Sequence, residues 1–90
     1  MGNVKFIEFI NQSHKNTHTM TQSEINNEIT TTRTRNGFYH EIRMEDTKWF
    51  VNIDQFNPTQ ESIFIENEMG EVFERQGTTK IVFVKFIQGL

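Results

Sequence analysis

Cysteine is absent from the 90 residues, which removes disulfides, thiolate metal ligands and a cysteine nucleophile, and excludes a disulfide-stapled secreted scaffold. Alanine is absent as well, which disfavours close helix-on-helix packing, while the abundant Thr, Ile, Phe and Val favour pleated, half-buried surfaces. No apolar run is long. The N-terminal cluster Val4, Phe6, Ile7, Phe9 and Ile10 is broken by Lys5 and Glu8, too short and too interrupted for a signal or a membrane span. Gly2 lacks the Ser or Thr that a myristoylation motif needs where this chain has Phe6. The expectation is a cytoplasmic protein with no membrane partner.

Glycine, arginine and proline, with GC-rich codons, are far outnumbered by Phe, Tyr, Met, Ile, Asn and Lys, with AT-rich ones. This bias points to a low-GC bacterium, a virus or a mobile element, and in the last two cases the cytoplasm is a host's. At this length the chain holds a single domain, 1–90, with one core.

The formal charge of −3 is unevenly spread. Over residues 1–44, Lys5, Lys15, Arg33, Arg35 and Arg43 roughly balance Glu8, Glu24, Glu28 and Glu41. Over 45–77, Glu45, Asp46, Asp54, Glu61, Glu66, Glu68, Glu71 and Glu74 face only Lys48 and Arg75. An acidic middle follows a weakly basic region.

The apolar arc of residues 4–10 fits a helical wheel and fails strict alternation, because alternation would put Glu8 beside Phe6 and Ile10. A helix over about 4–13, capped by Asn3, is expected. The polar stretch 11–27 reads as a surface connection, with capping-box spacing in Thr21-Gln22-Ser23-Glu24 and hence a helical turn near 22–27. Strands are expected at about 28–35, 38–45, 48–54, 62–66 and 71–75. Asn57-Pro58-Thr59 and Met69-Gly70 mark turns. Lys80-Ile81-Val82-Phe83-Val84-Lys85-Phe86-Ile87 reads as a last strand, apolar on both faces and so in need of cover on both. The expected fold is α+β: an N-terminal amphipathic helix packed on a mostly antiparallel sheet of five or six strands, or a partial barrel.

Asn36-Gly37 between β-prone runs signals a two-residue type I′ hairpin. That register sets Arg35 opposite Phe38, Arg33 opposite His40, Thr31 opposite Ile42 and Ile29 opposite Met44, all on one face. Its tip gathers Arg33, Arg35, Phe38, Tyr39 and His40. Such a mixture anchors protein interfaces, and it also holds phosphates and stacks on bases. In the plainer reading the arginines merely cover aromatic rings at an exposed sheet end. Overall acidity weighs against nucleic acid. Trp49 and Phe50 must point to opposite faces of their strand, so one ring leaves the core and joins the candidate partner-binding set. Glu66, Glu68, Glu71 and Glu74 flank a turn and form an acidic surface, either a solvated face or a mimic of a phosphate backbone.

Catalytic signals are poor. His40 and Glu41 are adjacent in a strand and diverge, the serines lack a nucleophile elbow, and no glycine-rich phosphate loop is present. His14 and His18 have ligand spacing without an evident third ligand, so neither a metal nor another cofactor is expected. These features point to a non-enzymatic protein-binding module, with a phage or mobile-element inhibitor of a host protein as the specific expectation. A nucleic-acid-binding hairpin is the alternative, and a homo-oligomer built through the 80–87 strand is a third.

Overall fold

The computed structural model describes residues 20–90. A helix over 4–13 lies outside the described residues. Helix α1 spans Gln22–Glu28 and starts where the capping box places it. The Thr21 hydroxyl accepts from the Glu24 N–H at 3.1 Å, and the Glu24 carboxylate accepts from the Thr21 N–H at 3.0 Å. Two otherwise orphaned donors are thereby satisfied. The helix ends when Ile29 turns extended, its N–H donating to the Ile25 carbonyl at 3.1 Å.

Five antiparallel strands follow in simple succession: β1 Thr30–Thr34, β2 Gly37–Met44, β3 Thr47–Asn52, β4 Ser62–Asn67 and β5 Val72–Gln76, with spatial order equal to chain order. Only Trp49↔Asn67 and Phe50↔Glu66 join β3 to β4. Beyond Asn52 the chain leaves the sheet as a 3-10 turn over Ile53–Gln55. The Gln55 side-chain amide then substitutes for the missing strand: its nitrogen donates to the Phe64 carbonyl at 3.1 Å and its oxygen accepts from the Phe64 N–H. A polar pair at an interior gap in the ladder is thus not left bare.

The chain closes with helix α2, Lys80–Gln88. This overturns the expected last strand and, with it, the expected fold: one five-stranded antiparallel sheet is preceded by the short helix α1 and followed by α2. The helical arrangement collects Phe83, Val84 and Ile87 on one buried arc and leaves Lys85 and Ile81 outside. A strand would have spread the same residues over two faces, both needing cover. The β-branched residues favour a strand locally, but burial of one continuous arc outweighs that preference. The homo-oligomer reading loses its premise, since the segment is a helix whose apolar arc is spent inside the molecule.

Both helices lie on one face of the sheet. Ile25 from α1 and Phe83, Val84 and Ile87 from α2 meet Ile42, Met44, Trp49, Val51, Ile63 and Ile65, which alternate along β2, β3 and β4. Each fully buried side chain of this kind contributes on the order of 2–3 kcal/mol. The helices are tied together as well: the Gln88 amide donates to the Met20 carbonyl at 3.0 Å, and the Gln22 amide donates to the Gln88 oxygen at 3.3 Å.

The first hairpin keeps the expected faces but slips in register. Thr34 pairs with Gly37, Arg33 with Phe38 and Thr31 with His40, so the turn residues are Arg35-Asn36. Neither has positive φ, whereas Gly37 takes φ +117°, so the expected type I′ turn on Asn36-Gly37 is not formed. Each partner moves by two residues, which preserves side-chain parity and leaves Thr31, Arg33, Phe38, His40 and Ile42 on one face. The type I′ geometry occurs instead in the next hairpin, where Glu45 and Asp46 have φ 54° and 60° between the paired Met44 and Thr47.

Candidate functional site

Strand alternation divides the expected binding residues between the two faces of the sheet. Trp49 points inward and is 8% exposed, its indole N–H donating to the Met44 carbonyl at 3.2 Å and its ring packed on Phe86 and Phe73. It is a core residue, and a partner cannot reach it without opening the helical layer. Phe50 is the ring that leaves the core. On the helix side of the hairpin, the Arg33 guanidinium lies 5.8 Å from the centre of the Phe38 ring, the covering contact of the plainer reading. His40 sits half-buried against Phe56, with ring centres 5.6 Å apart and Nδ1 3.1 Å from the Thr31 hydroxyl. Arg35 is exposed in the turn. Tyr39 is on the opposite face from Phe38 and His40, so the five tip residues do not converge.

That opposite face is the candidate site, because no described residue covers it. The registers lay its side chains out in rows running across the strands. One row is Thr30, Glu41, Phe50, Glu66 and Val72. The next contains Thr32, Tyr39 and Asn52, and Phe64 and Glu74 continue it beyond the Gln55 seam. Carboxylates and apolar side chains therefore alternate across the middle of the face. Tyr39 and Phe50 meet edge to face, with ring centres 5.9 Å apart. Phe64 and Val72 are 46% and 54% exposed. A hollow of 340 Å³ opens between Tyr39, Phe50, Thr34, Asn36 and the Glu41–Lys48 pair.

Charge on this face is only partly neutralised. Glu41 is largely buried, accepts from the Thr32 hydroxyl at 2.7 Å and lies 3.8 Å from the Lys48 ammonium. Arg43 pairs with Glu68 at 3.4 Å, and Glu68 also accepts from the Lys48 N–H at 3.1 Å. Both cations that the described residues place on the face are thus engaged. Glu74 accepts from the Ser62 hydroxyl at 2.6 Å, a neutral donor. The Glu66 carboxylate, between Phe50 and Val72, has no hydrogen bond or ion pair among the described residues. The four acidic residues singled out from sequence are consequently of two kinds. Glu66 and Glu74 belong to the open face. Glu68 and Glu71 are structural, the latter accepting from the Asn67 amide at 2.8 Å.

Comparison of the chain with protein-family models, with curated proteins and with solved structures returns no match. Among the described residues no three His, Asp or Glu side chains are grouped as metal ligands would be. No described helix is long and apolar enough to cross a membrane. His14 and His18 lie outside the described residues.

Sequence reasoning missed Phe64 and Val72. The signal for Phe64 was present: in Ser62-Ile63-Phe64-Ile65-Glu66 the two isoleucines fix the inward phase, so an aromatic between them is a surplus apolar residue on the outward face. For Val72 the strand was too short and polar to assign a phase.

Proposed function

We propose that the chain is a non-enzymatic protein-binding module whose open sheet face receives a protein partner. The observation that carries the reading is the set Tyr39, Phe50, Phe64 and Val72, displayed together on a face that no described residue covers. Phe64 is exposed and Tyr39 and Phe50 are half-buried, and aromatic side chains with few rotatable bonds lose little side-chain freedom on docking, which is why such residues dominate protein interfaces. The composition supports the narrower reading of a phage or mobile-element inhibitor of a host protein, acting in the host cytoplasm.

A variant comparison tests the module. A protein captured from lysate of a low-GC bacterium by the wild-type chain, after nuclease treatment, is expected to be lost with Phe64→Ser and with Tyr39→Ser and retained with Arg35→Ala. Capture that survives both aromatic substitutions and fails with Arg35→Ala moves the site to the hairpin tip.

Nucleic acid is the second reading, favoured by one observation, the exposed Arg35 beside the Arg33–Phe38 stack. The carboxylates Glu41, Glu66 and Glu74 on the open face oppose it there, since phosphate binding requires several cations on one surface. Binding of an oligonucleotide that falls steeply with salt and with Arg35→Ala would favour this second reading.

A further inference from the structure

The open face also says what kind of segment it accepts. Resting on the protein-binding reading above, we infer that the partner contributes a cationic amphipathic segment, with Lys or Arg interleaved with apolar side chains.

Three features lead there. The row Glu41, Phe50, Glu66, Val72 alternates acid and apolar across adjacent strands, and neighbouring strands lie about 4.8 Å apart. A segment that buries its apolar side chains against Phe50 and Val72 must place whatever flanks them beside Glu66. An anionic or apolar flank would desolvate that carboxylate without a partner, which is strongly unfavourable, and a neutral donor would leave its charge uncompensated. A lysine or arginine there gains a charge-assisted hydrogen bond. The second feature is that the cations which the described residues place on this face already have carboxylate partners: Lys48 is 3.8 Å from Glu41 and Arg43 is 3.4 Å from Glu68. The third is Glu74, next to the exposed Phe64 in its row and, among the described residues, held by the Ser62 hydroxyl alone. The two apolar anchors on β4 and β5 thus each adjoin a carboxylate that has no cation partner among the described residues.

The test uses the full chain and two labelled 15-residue peptides with identical apolar residues, one carrying lysines and the other glutamates at the intervening positions. Fluorescence anisotropy is expected to show the lysine peptide binding at least tenfold more tightly than the glutamate peptide. Glu66→Gln is expected to weaken the lysine peptide about fivefold. Asn26→Lys, which makes the same change in net charge on an exposed position of α1, is expected to leave it within twofold. Phe64→Ser is expected to weaken binding at both low and high salt, while the effect of Glu66→Gln shrinks as salt rises.

The outcomes separate the two claims. Loss of binding with Phe64→Ser, combined with equal affinity for both peptides, keeps the docking face and overturns the cationic partner. Equal effects of Glu66→Gln and Asn26→Lys also overturn it, because attraction would then be a matter of net charge. Failure of both peptides to bind the wild-type chain, including through cover by its own residues 1–19, overturns both claims. Unchanged circular dichroism and thermal midpoints for the three variants keep a folding defect from imitating any of these results.

Discussion

Asn67 is the buried polar side chain of the described core, 2% exposed, and its amide organises the β4–β5 turn. Its oxygen accepts from the N–H groups of Met69 at 3.1 Å and Glu71 at 3.0 Å, and its nitrogen donates to the Glu71 carboxylate. Asn67→Ala strands two backbone donors, and urea denaturation is expected to show a loss of about 2–3 kcal/mol. A loss below about 0.5 kcal/mol would mean that water replaces the amide at no cost. Glu45 and Asp46 present the opposite case, since both adopt positive φ without being glycine. Replacing them together by Asn and Gly is expected to raise stability by about 1 kcal/mol, read from the same titration. His40 supplies a pH dependence. Burial first, and the charge of Lys80 second, hold its imidazole below the ordinary value of 6.5. The unfolded chain then binds a proton that the folded chain accepts only at lower pH. The stability linked to His40 is full above pH 6.5 and declines as pH falls below it. His40→Gln is expected to flatten that decline, and an unaltered profile would assign it to other groups. Glu24, lowered from 4.5 chiefly by the Thr21 backbone hydrogen bond, titrates in a separate, more acidic window. Little at this scale was legible beforehand. Trp49 and Phe50 had to part because adjacent strand residues alternate, but nothing local marked Asn67 as a turn organiser, because its partners are defined only once β4 meets β5.

Elements were legible where local chemistry is strong and were not where packing decides. The capping box at Thr21 and Glu24 located α1, since the two reciprocal bonds need only four consecutive residues. The segment 80–87 misled because its β-branched residues and two-sided apolarity describe a buried strand as well as a short helix. Only the shape of the sheet's inner face, which requires Phe83, Val84 and Ile87 on one arc, separates them. The first hairpin was right in its faces and displaced in its turn. Its register has a sharp consequence for β1. The two-residue turn at Glu45-Asp46 makes Met44 and Thr47 a hydrogen-bonded pair, so the odd residues of β2 turn their backbone groups toward β1. Thr30, Thr32 and Thr34 answer them, while the N–H groups of Thr31 and Arg33 point away from the sheet. Thr31→Pro is therefore expected to cost at most about 1 kcal/mol, and Thr32→Pro about 3 kcal/mol or more. Thermal denaturation of the two variants decides, and the reverse order would refute the register.

The whole molecule is two layers deep among the described residues, with α1 and α2 over one face of the sheet and the other face open. Composition and alternation foretold a sheet-dominated domain with an acidic middle. They did not foretell that the acidic residues would divide, Glu68 and Glu71 bracing a turn while Glu66 and Glu74 sit among exposed apolar side chains, because that division depends on strand register. The binding residues expected from sequence were likewise scattered by it: proximity along a strand places Tyr39 beside Phe38 and His40, and the pleat then separates them. What the molecule gains from this arrangement is a face whose apolar residues contribute little to the core. Its substitutions are expected to be silent in stability and decisive in recognition, the inverse of Ile63 or Ile65. The most direct test is chemical-shift mapping of the isotopically labelled full chain titrated with the lysine-bearing amphipathic peptide. Perturbations are expected to centre on Tyr39, Phe50, Phe64, Glu66 and Val72, with Phe83, Val84 and Ile87 unmoved. Perturbations confined to Arg33, Arg35 and Phe38, or to the helical layer, would rule out the open face as the binding surface.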